Sequence, residues 1–257
     1  MFRKLLGLAP QPTPEGAYTP SPFSLKLATS PETNYTEESY PPLPPGQQPR
    51  ILMVCTEEQH LVMANGKKFS TGNHPVEMLV PMLHFERAGL GVEVFTLTGR
   101  PAQIEHWAMP KKDERVLAIY ARYEAQFSRP RSLAEYVAQG MPEGDFVAVF
   151  IPGGHGAMLG LPESRDLCQL LHAAAARDWF VLSICHGPAA LLAAEEAGKP
   201  ETFLYRGYKM AAFPDAVDRQ TPLIGYMPGY LTWQFGRELQ QRGVTLVNKK
   251  ADKTCQV

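Results

Sequence analysis

The chain has 257 residues, 44% of them hydrophobic, and a formal net charge of −1. That length and apolar content can bury one large core with room for a subdomain. The near-neutral balance offers no basic surface for nucleic acid, and no apolar run approaches the roughly 18 residues of a membrane span.

Met1 to Ala9 begins like a signal peptide, but its apolar stretch is short and Pro10, Pro12 and Pro14 follow at once. Residues 10–49 are rich in Pro, Ser, Thr and Gly, so residues 1–49 form a Pro-rich arm or linker on the surface. The folded core, residues 50–257, opens with a strand pattern at Arg50 to Cys55. A helix is predicted over Pro75 to Gly89 and a strand over Val92 to Leu97. Residues 100–140 carry much charge and helical spacing near Tyr120 to Phe127, which predicts an inserted helical layer. A buried strand follows at Asp145 to Pro152, running into Gly153-Gly154-His155-Gly156, and then a helix from Ser164 to Arg177.

The next apolar run, Phe180 to Ile184, stops at Cys185-His186-Gly187-Pro188, where an Ala/Leu-rich helical pattern begins. Pro188 suits a first helical turn. A strand that turns sharply into a helix at a cysteine is a nucleophile elbow with sulfur in place of oxygen. The helix end favours thiolate over thiol, and the following amides point to where an oxyanion would form. The alternative is a small buried hydrophobe at a strand end. Further on come a short strand near Tyr208 to Phe213, a loop through Pro228-Gly229, a helix over Leu231 to Arg242 and a strand at Val244 to Asn248. Strands alternating with helices predict an α/β fold, a parallel sheet covered on both faces.

Candidate chemistry gathers at the strand ends. His186 pairs with Cys185 if the turn folds the imidazole back, and is otherwise a loop residue. Asp215 follows a strand whose end shares an edge with Cys185, so it can approach His186 or cap a turn after Pro214. Glu77 is either a first-turn helix carboxylate or a buried acid facing the cysteine. Ionised, it would raise the thiol pKa; protonated, it would hydrogen-bond the thiolate and shuttle a proton. Gly153 and Gly154 free backbone amides for an oxyanion, and His155 can line the same pocket. Cys55, Cys168 and Cys255 are read as structural. The four cysteines have no paired spacing and no C-x-x-C, which places the protein in a reducing cytoplasm.

Several stretches match one family in order: Phe69-Ser-Thr-Gly-Asn-His-Pro-Val-Glu77, Trp107-Ala-Met-Pro110, Pro152-Gly-Gly-His-Gly-Ala157, Gly160-Leu-Pro-Glu-Ser164, Ile184-Cys-His-Gly-Pro188, Ala212-Phe-Pro-Asp215 and Gly225-Tyr-Met-Pro-Gly229. The chain resembles the PfpI-like superfamily, related to class I glutamine amidotransferases, and within it the HchA-type proteins. The resemblance implies a flavodoxin-like core and a Cys185–His186–Asp215 triad with Glu77 beside the cysteine. It implies glutathione-independent glyoxalase (glyoxalase III) and deglycase activity, holding-chaperone activity in stress, and a homodimer. The partners would be small dicarbonyls, glycated proteins or nucleotides, and unfolded polypeptides.

Two departures stand out. The family's two-His, one-Glu metal site falls on Glu86, Gly91 and Tyr123, which leaves one plausible ligand where zinc needs three or four. No metal and no cofactor are therefore expected. The chain also stops at Val257, short of the hairpin and helix that family members carry, which suggests a truncated form. A holdase with incidental catalysis and a cysteine peptidase or amidase are the competing functions. The helical insertion would crowd a peptide-sized pocket.

Overall fold

The computed structural model describes residues 7–142 and 144–248. Cys255 lies outside the described residues. Five strands form the central parallel sheet: β3 (Arg50–Val54), β6 (Gly91–Thr96), β7 (Arg131–Ser132), β8 (Phe146–Ile151) and β9 (Phe180–Ser183), in the order β7-β6-β3-β8-β9. The chain thus has the α/β architecture that its alternating pattern predicts, with the flavodoxin-like core that the resemblance implies. The alternation within β3 sorts the core into two layers. Ile51, Met53 and Cys55 pack with the helices Pro75–Arg87 and Glu114–Ser128. Leu52 and Val54 pack with the helices Leu133–Ala138, Arg165–Ala176 and Phe235–Gln241.

Helix starts are written in the sequence. Ser164 and Asp113 cap their helices through side-chain oxygens, and Pro75 occupies a first-turn position. Several short elements escape the hydrophobic pattern. In the charged 100–140 stretch, Arg131–Ser132 joins the sheet beside β6. The expected strand at Tyr208 to Phe213 shrinks to β10 (Lys209–Met210), which pairs with β11 (Thr245–Leu246) in a separate two-stranded sheet.

The Pro-rich N-terminal arm is stitched into the fold. In chain order, β1 (Gln11–Pro12), β2 (Ala17–Thr19), β4 (His60–Val62) and β5 (Lys68–Ser70) make a four-stranded sheet, arranged β1-β2-β5-β4. The helix Pro22–Ala28 follows, capped by Ser21, whose hydroxyl also bonds the Ile224 carbonyl. A small apolar cluster of Leu61, Met63, Phe69 and Met227 anchors this layer above the sheet's C-terminal edge.

Candidate active site

The C-terminal ends of β8 and β9 meet the N-terminus of the helix Pro75–Arg87. Asn73 fixes that helix start. Its side-chain amide bonds the backbone of Thr56 and Gln103, and the His74 amide donates to the Gly153 carbonyl at 2.9 Å. Glu77, one turn in, is thereby pressed against the β8 loop. A Cβ on Gly153 would collide with Glu77 Oε2 and lie 2.8 Å from the Cys185 Cβ. At this position the missing side chain is what lets the acid and the cysteine meet. Gly154 has φ +102°, and a Cβ there would strike the Gly72 carbonyl.

Cys185 turns the chain with φ 58°, a left-handed conformation that a non-glycine residue rarely holds. The residues after it form 3₁₀ turns over Gly187–Ala194 where the composition suggested an α-helix. Gly187 runs so close to β8 that a Cβ would be 2.6 Å from the Ile151 carbonyl. The tight turn folds the imidazole back: His186 Nδ1 lies 3.3 Å from the Cys185 sulfur.

The carboxylate on the far side of that imidazole is Asp218. His186 Nε2 donates to Asp218 Oδ2 at 2.9 Å, and His155 Nε2 bonds Asp218 Oδ1 at 3.0 Å. All three residues are buried, and the two imidazole rings lie with centroids 3.8 Å apart and planes tilted by 36°. Asp215 does not reach His186. It accepts from the Gly236 and Arg237 amides at 3.1 and 2.9 Å, closing the start of the helix Phe235–Gln241. The expectation of Asp215 behind the histidine is therefore corrected to Asp218, three residues on. Both carboxylates lie on the short helix Asp215–Asp218, and only the phase of that turn decides which one faces the imidazole.

Charges follow burial and neighbours. Burial, then the adjacent Glu77 carboxyl, pushes the Cys185 thiol well above its ordinary range, although the His186 amide bonds the sulfur. This reverses the depression expected from an elbow, because burial of the thiol, with the Glu77 carboxyl beside it, outweighs a short 3₁₀ turn. His186 is lowered by burial and by His155, and so is held neutral. Burial disfavours a charge on His155, but Asp218 outweighs it and raises that histidine. Asp218 is itself held well below the carboxylate range, since the two histidines overcome its burial. An Nε2–H bonded to Asp218 leaves the His186 Nδ1 lone pair facing the sulfur.

These groups border a cavity of about 200 Å³. Ala28 of the N-terminal arm, His74, Glu105, Phe213, Thr221 and Tyr226 complete its walls. Of the expected pocket residues, Gly154 and His155 line it, while Gly153 acts through the space it leaves for Glu77. Glu105 and His74 gave no distinct signal in the sequence. His74 stands inside the Asn-His-Pro-Val-Glu stretch, and Glu105 is placed only by the pairing of the Asn73 and Ile104 backbones.

The family's metal positions do not fit a divalent ion here. Glu86 is ion-paired with Arg122 and hydrogen-bonded to the Tyr123 side chain, and Gly91 supplies no side chain. His155, His186 and Asp218 do converge, with donor atoms within 4.8 Å. Their two short hydrogen bonds account for that convergence.

The DJ-1/PfpI family model matches residues 69–209. Over 244 residues the chain is 45% identical to the protein/nucleic acid deglycase HchA of Pseudomonas aeruginosa, covering 93% of this chain and 84% of that protein. It is 45% identical over 234 residues to the Escherichia coli O157:H7 protein of the same name, covering 91% and 81%. Among solved structures, Rapid Encystment Protein 24 kDa of Francisella tularensis matches with TM-score 0.63 at 18% identity over 80% of this chain and 86% of that one. Glyoxalase III of Candida albicans matches with TM-score 0.55 at 21% identity over 78% and 82%. These two structural likenesses bear on the fold alone.

Proposed function

Because the chain belongs to the DJ-1/PfpI family, we propose that it is a cysteine-dependent enzyme for reactive dicarbonyls and early glycation adducts, a glutathione-independent glyoxalase and deglycase. The observation that carries this reading is Cys185 set between two proton-transfer groups, His186 on one side and Glu77 on the other, in a cavity sized for a small molecule. The deglycase name of the 45% identical relatives supports it.

With methylglyoxal, His186 Nδ1 takes the thiol proton as sulfur bonds the aldehyde carbon. The proton returns to the new oxyanion, giving a hemithioacetal. Glu77 removes the hydrogen on C1, and the resulting enediol is reprotonated at C2. C1 is thereby oxidised to a thioester while C2 is reduced to an alcohol, so no external oxidant is needed. Water then cleaves the thioester, releasing lactate and restoring the thiol. Asp218 holds His186 in the tautomer that leaves Nδ1 free, and Gly154 lines the space where the oxyanion would form. On a glycated side chain or nucleotide, the same attack on the aldehyde-derived carbon would release the amine or thiol.

The test is D-lactate formation from methylglyoxal without glutathione. Wild type should turn over and Cys185→Ala should not; equal rates, or no lactate from wild type, would defeat the reading.

A second reading, holding of unfolded chains, is favoured by an apolar cleft of about 520 Å³ between Trp179, Phe180, Leu204 and Tyr208, with Phe180 72% exposed. Holding should survive Cys185→Ala. We further read the protein as a cytoplasmic homodimer. The cytoplasm follows from the cysteine pattern and the dimer from the family resemblance, and sedimentation would test the latter. No helix among the described residues is long and apolar enough to cross a membrane.

A further inference from the structure

Glu105 is a carboxyl group that the proposed chemistry does not use. It is only 1% exposed, and it lines the same cavity as Cys185. Its Oε1 accepts from the Thr71 hydroxyl at 2.7 Å, whereas its Oε2 is buried with no partner among the described residues. His74 Nδ1, on a residue lining the same space, is likewise buried with no partner among the described residues. Two orphaned polar atoms on residues around one small cavity are costly unless something polar enters it.

We infer that Glu105 is a specificity-determining residue, hydrogen-bonding through Oε2 to the second oxygen of a small uncharged vicinal dicarbonyl, while the charge of the neighbouring Glu77 turns away substrates carrying a carboxylate.

This rests on the dicarbonyl reading of the Cys185 site. Burial raises Glu105 above the ordinary carboxyl range, although His74 and His155 oppose the shift. In its protonated form Glu105 can donate a hydrogen bond to a carbonyl oxygen. Among the described residues the walls of the cavity contain no lysine or arginine, and His155 is already hydrogen-bonded to Asp218. A keto acid entering here would meet the Glu77 charge and no free cation, and its carboxylate would lose its hydration for one hydrogen bond at most.

The experiment reads occupancy without turnover. Cys185 alkylation by iodoacetamide is followed by peptide mass spectrometry, with hydroxyacetone (uncharged) and glyoxylate (anionic) as protecting ligands. Hydroxyacetone should protect wild type and Glu105→Gln, which keeps a donor at the same place. Its protection should weaken roughly 3- to 10-fold in Glu105→Leu, the usual worth of one hydrogen bond. Glyoxylate should protect none of them. The infrared difference between wild type and Glu105→Gln at neutral pH should contain a protonated-carboxyl stretch, and it decides the matter if the Leu variant fails to fold. Equal protection by glyoxylate and hydroxyacetone, full protection retained in a folded Leu variant, or a purely carboxylate difference band would overturn the inference. If hydroxyacetone protects as expected but methylglyoxal yields no lactate, the enzymatic reading falls and the pocket's selectivity stands.

Discussion

Two side chains at the site invite opposite effects from one substitution. The charge on Glu77 helps hold the Cys185 thiol in its neutral form, and the same carboxyl is the acid–base group proposed for the C1 hydrogen. Glu77→Gln removes both. Turnover of methylglyoxal should fall about 10²–10⁴-fold, the usual share of general acid–base catalysis. The thiol, freed of a neighbouring negative charge, should titrate at lower pH and be alkylated faster at pH 7. Measuring both rates on one preparation decides it, since a purely structural Glu77 would move neither. The carboxylates of the short helix separate in the same way. Asp218→Asn should lower turnover roughly 10²-fold or more by releasing the His186 tautomer. Asp215→Asn should keep turnover and cost about 1 kcal/mol through the weakened helix cap, a fall of roughly 2–4 °C in Tm. The pH dependence follows from the signs. Asp218 and His186 both sit below their unfolded values, so the stability each contributes is lost as pH falls through the acid range. His155 sits above its own, so its contribution is present in acid and lost as pH rises through its folded value. Urea midpoints against pH should therefore show a steeper acid limb in wild type than in Asp218→Asn.

At the scale of elements, the helix Pro75–Arg87 and the β8 loop are set by a glycine. Gly153→Ala puts a methyl group into Glu77 Oε2 and against Cys185. The carboxyl must move, since the backbone on either side is held by the His74–Gly153 hydrogen bond. The expected result is a loss of turnover comparable to Glu77→Gln, with a stability cost of about 1–3 kcal/mol for the overpacking. Full activity in Gly153→Ala would mean that the Glu77 position is not critical. Elements such as this one mark the boundary of what is legible in the chain. Strands of four to six residues built on an apolar run, Arg50–Val54, Gly91–Thr96, Phe146–Ile151 and Phe180–Ser183, announce themselves, as do helices with a cap and a clean apolar face. Two- and three-residue strands carry no period, so Arg131–Ser132 and the His60–Val62/Lys68–Ser70 hairpin pass as loop. The cysteine, its histidine and Glu77 were readable because backbone geometry places them. The choice of Asp218 over Asp215 was not, because it depends on the phase of one helical turn. Glu105 was not readable either, because only the fold brings it to the cavity.

At the scale of the whole molecule, the main sheet has, among the described residues, one guarded edge and one open edge. Strand β7 is a two-residue stub beside β6, the kind of short edge that resists further pairing. Strand β9 pairs with β8 on one side and has no strand of the described residues on the other. Phe180 and Tyr208 lie exposed along that side, over the apolar cleft. An open edge with large apolar side chains is a site for chain–chain association. Phe180 begins β9 and Cys185 follows its end. Five residues of extended chain separate them by roughly 16 Å, so the edge can be changed without touching the chemistry. Phe180→Lys should leave lactate formation within about twofold of wild type, because surface changes remote from a site act weakly. It should also reduce self-association in light scattering at high protein concentration and weaken any protection of a heat-unfolded client. Scattering and client protection identical to wild type would show that the open edge of β9 carries neither property. A parallel loss of turnover would instead mean that this edge and the Cys185 elbow move as one unit.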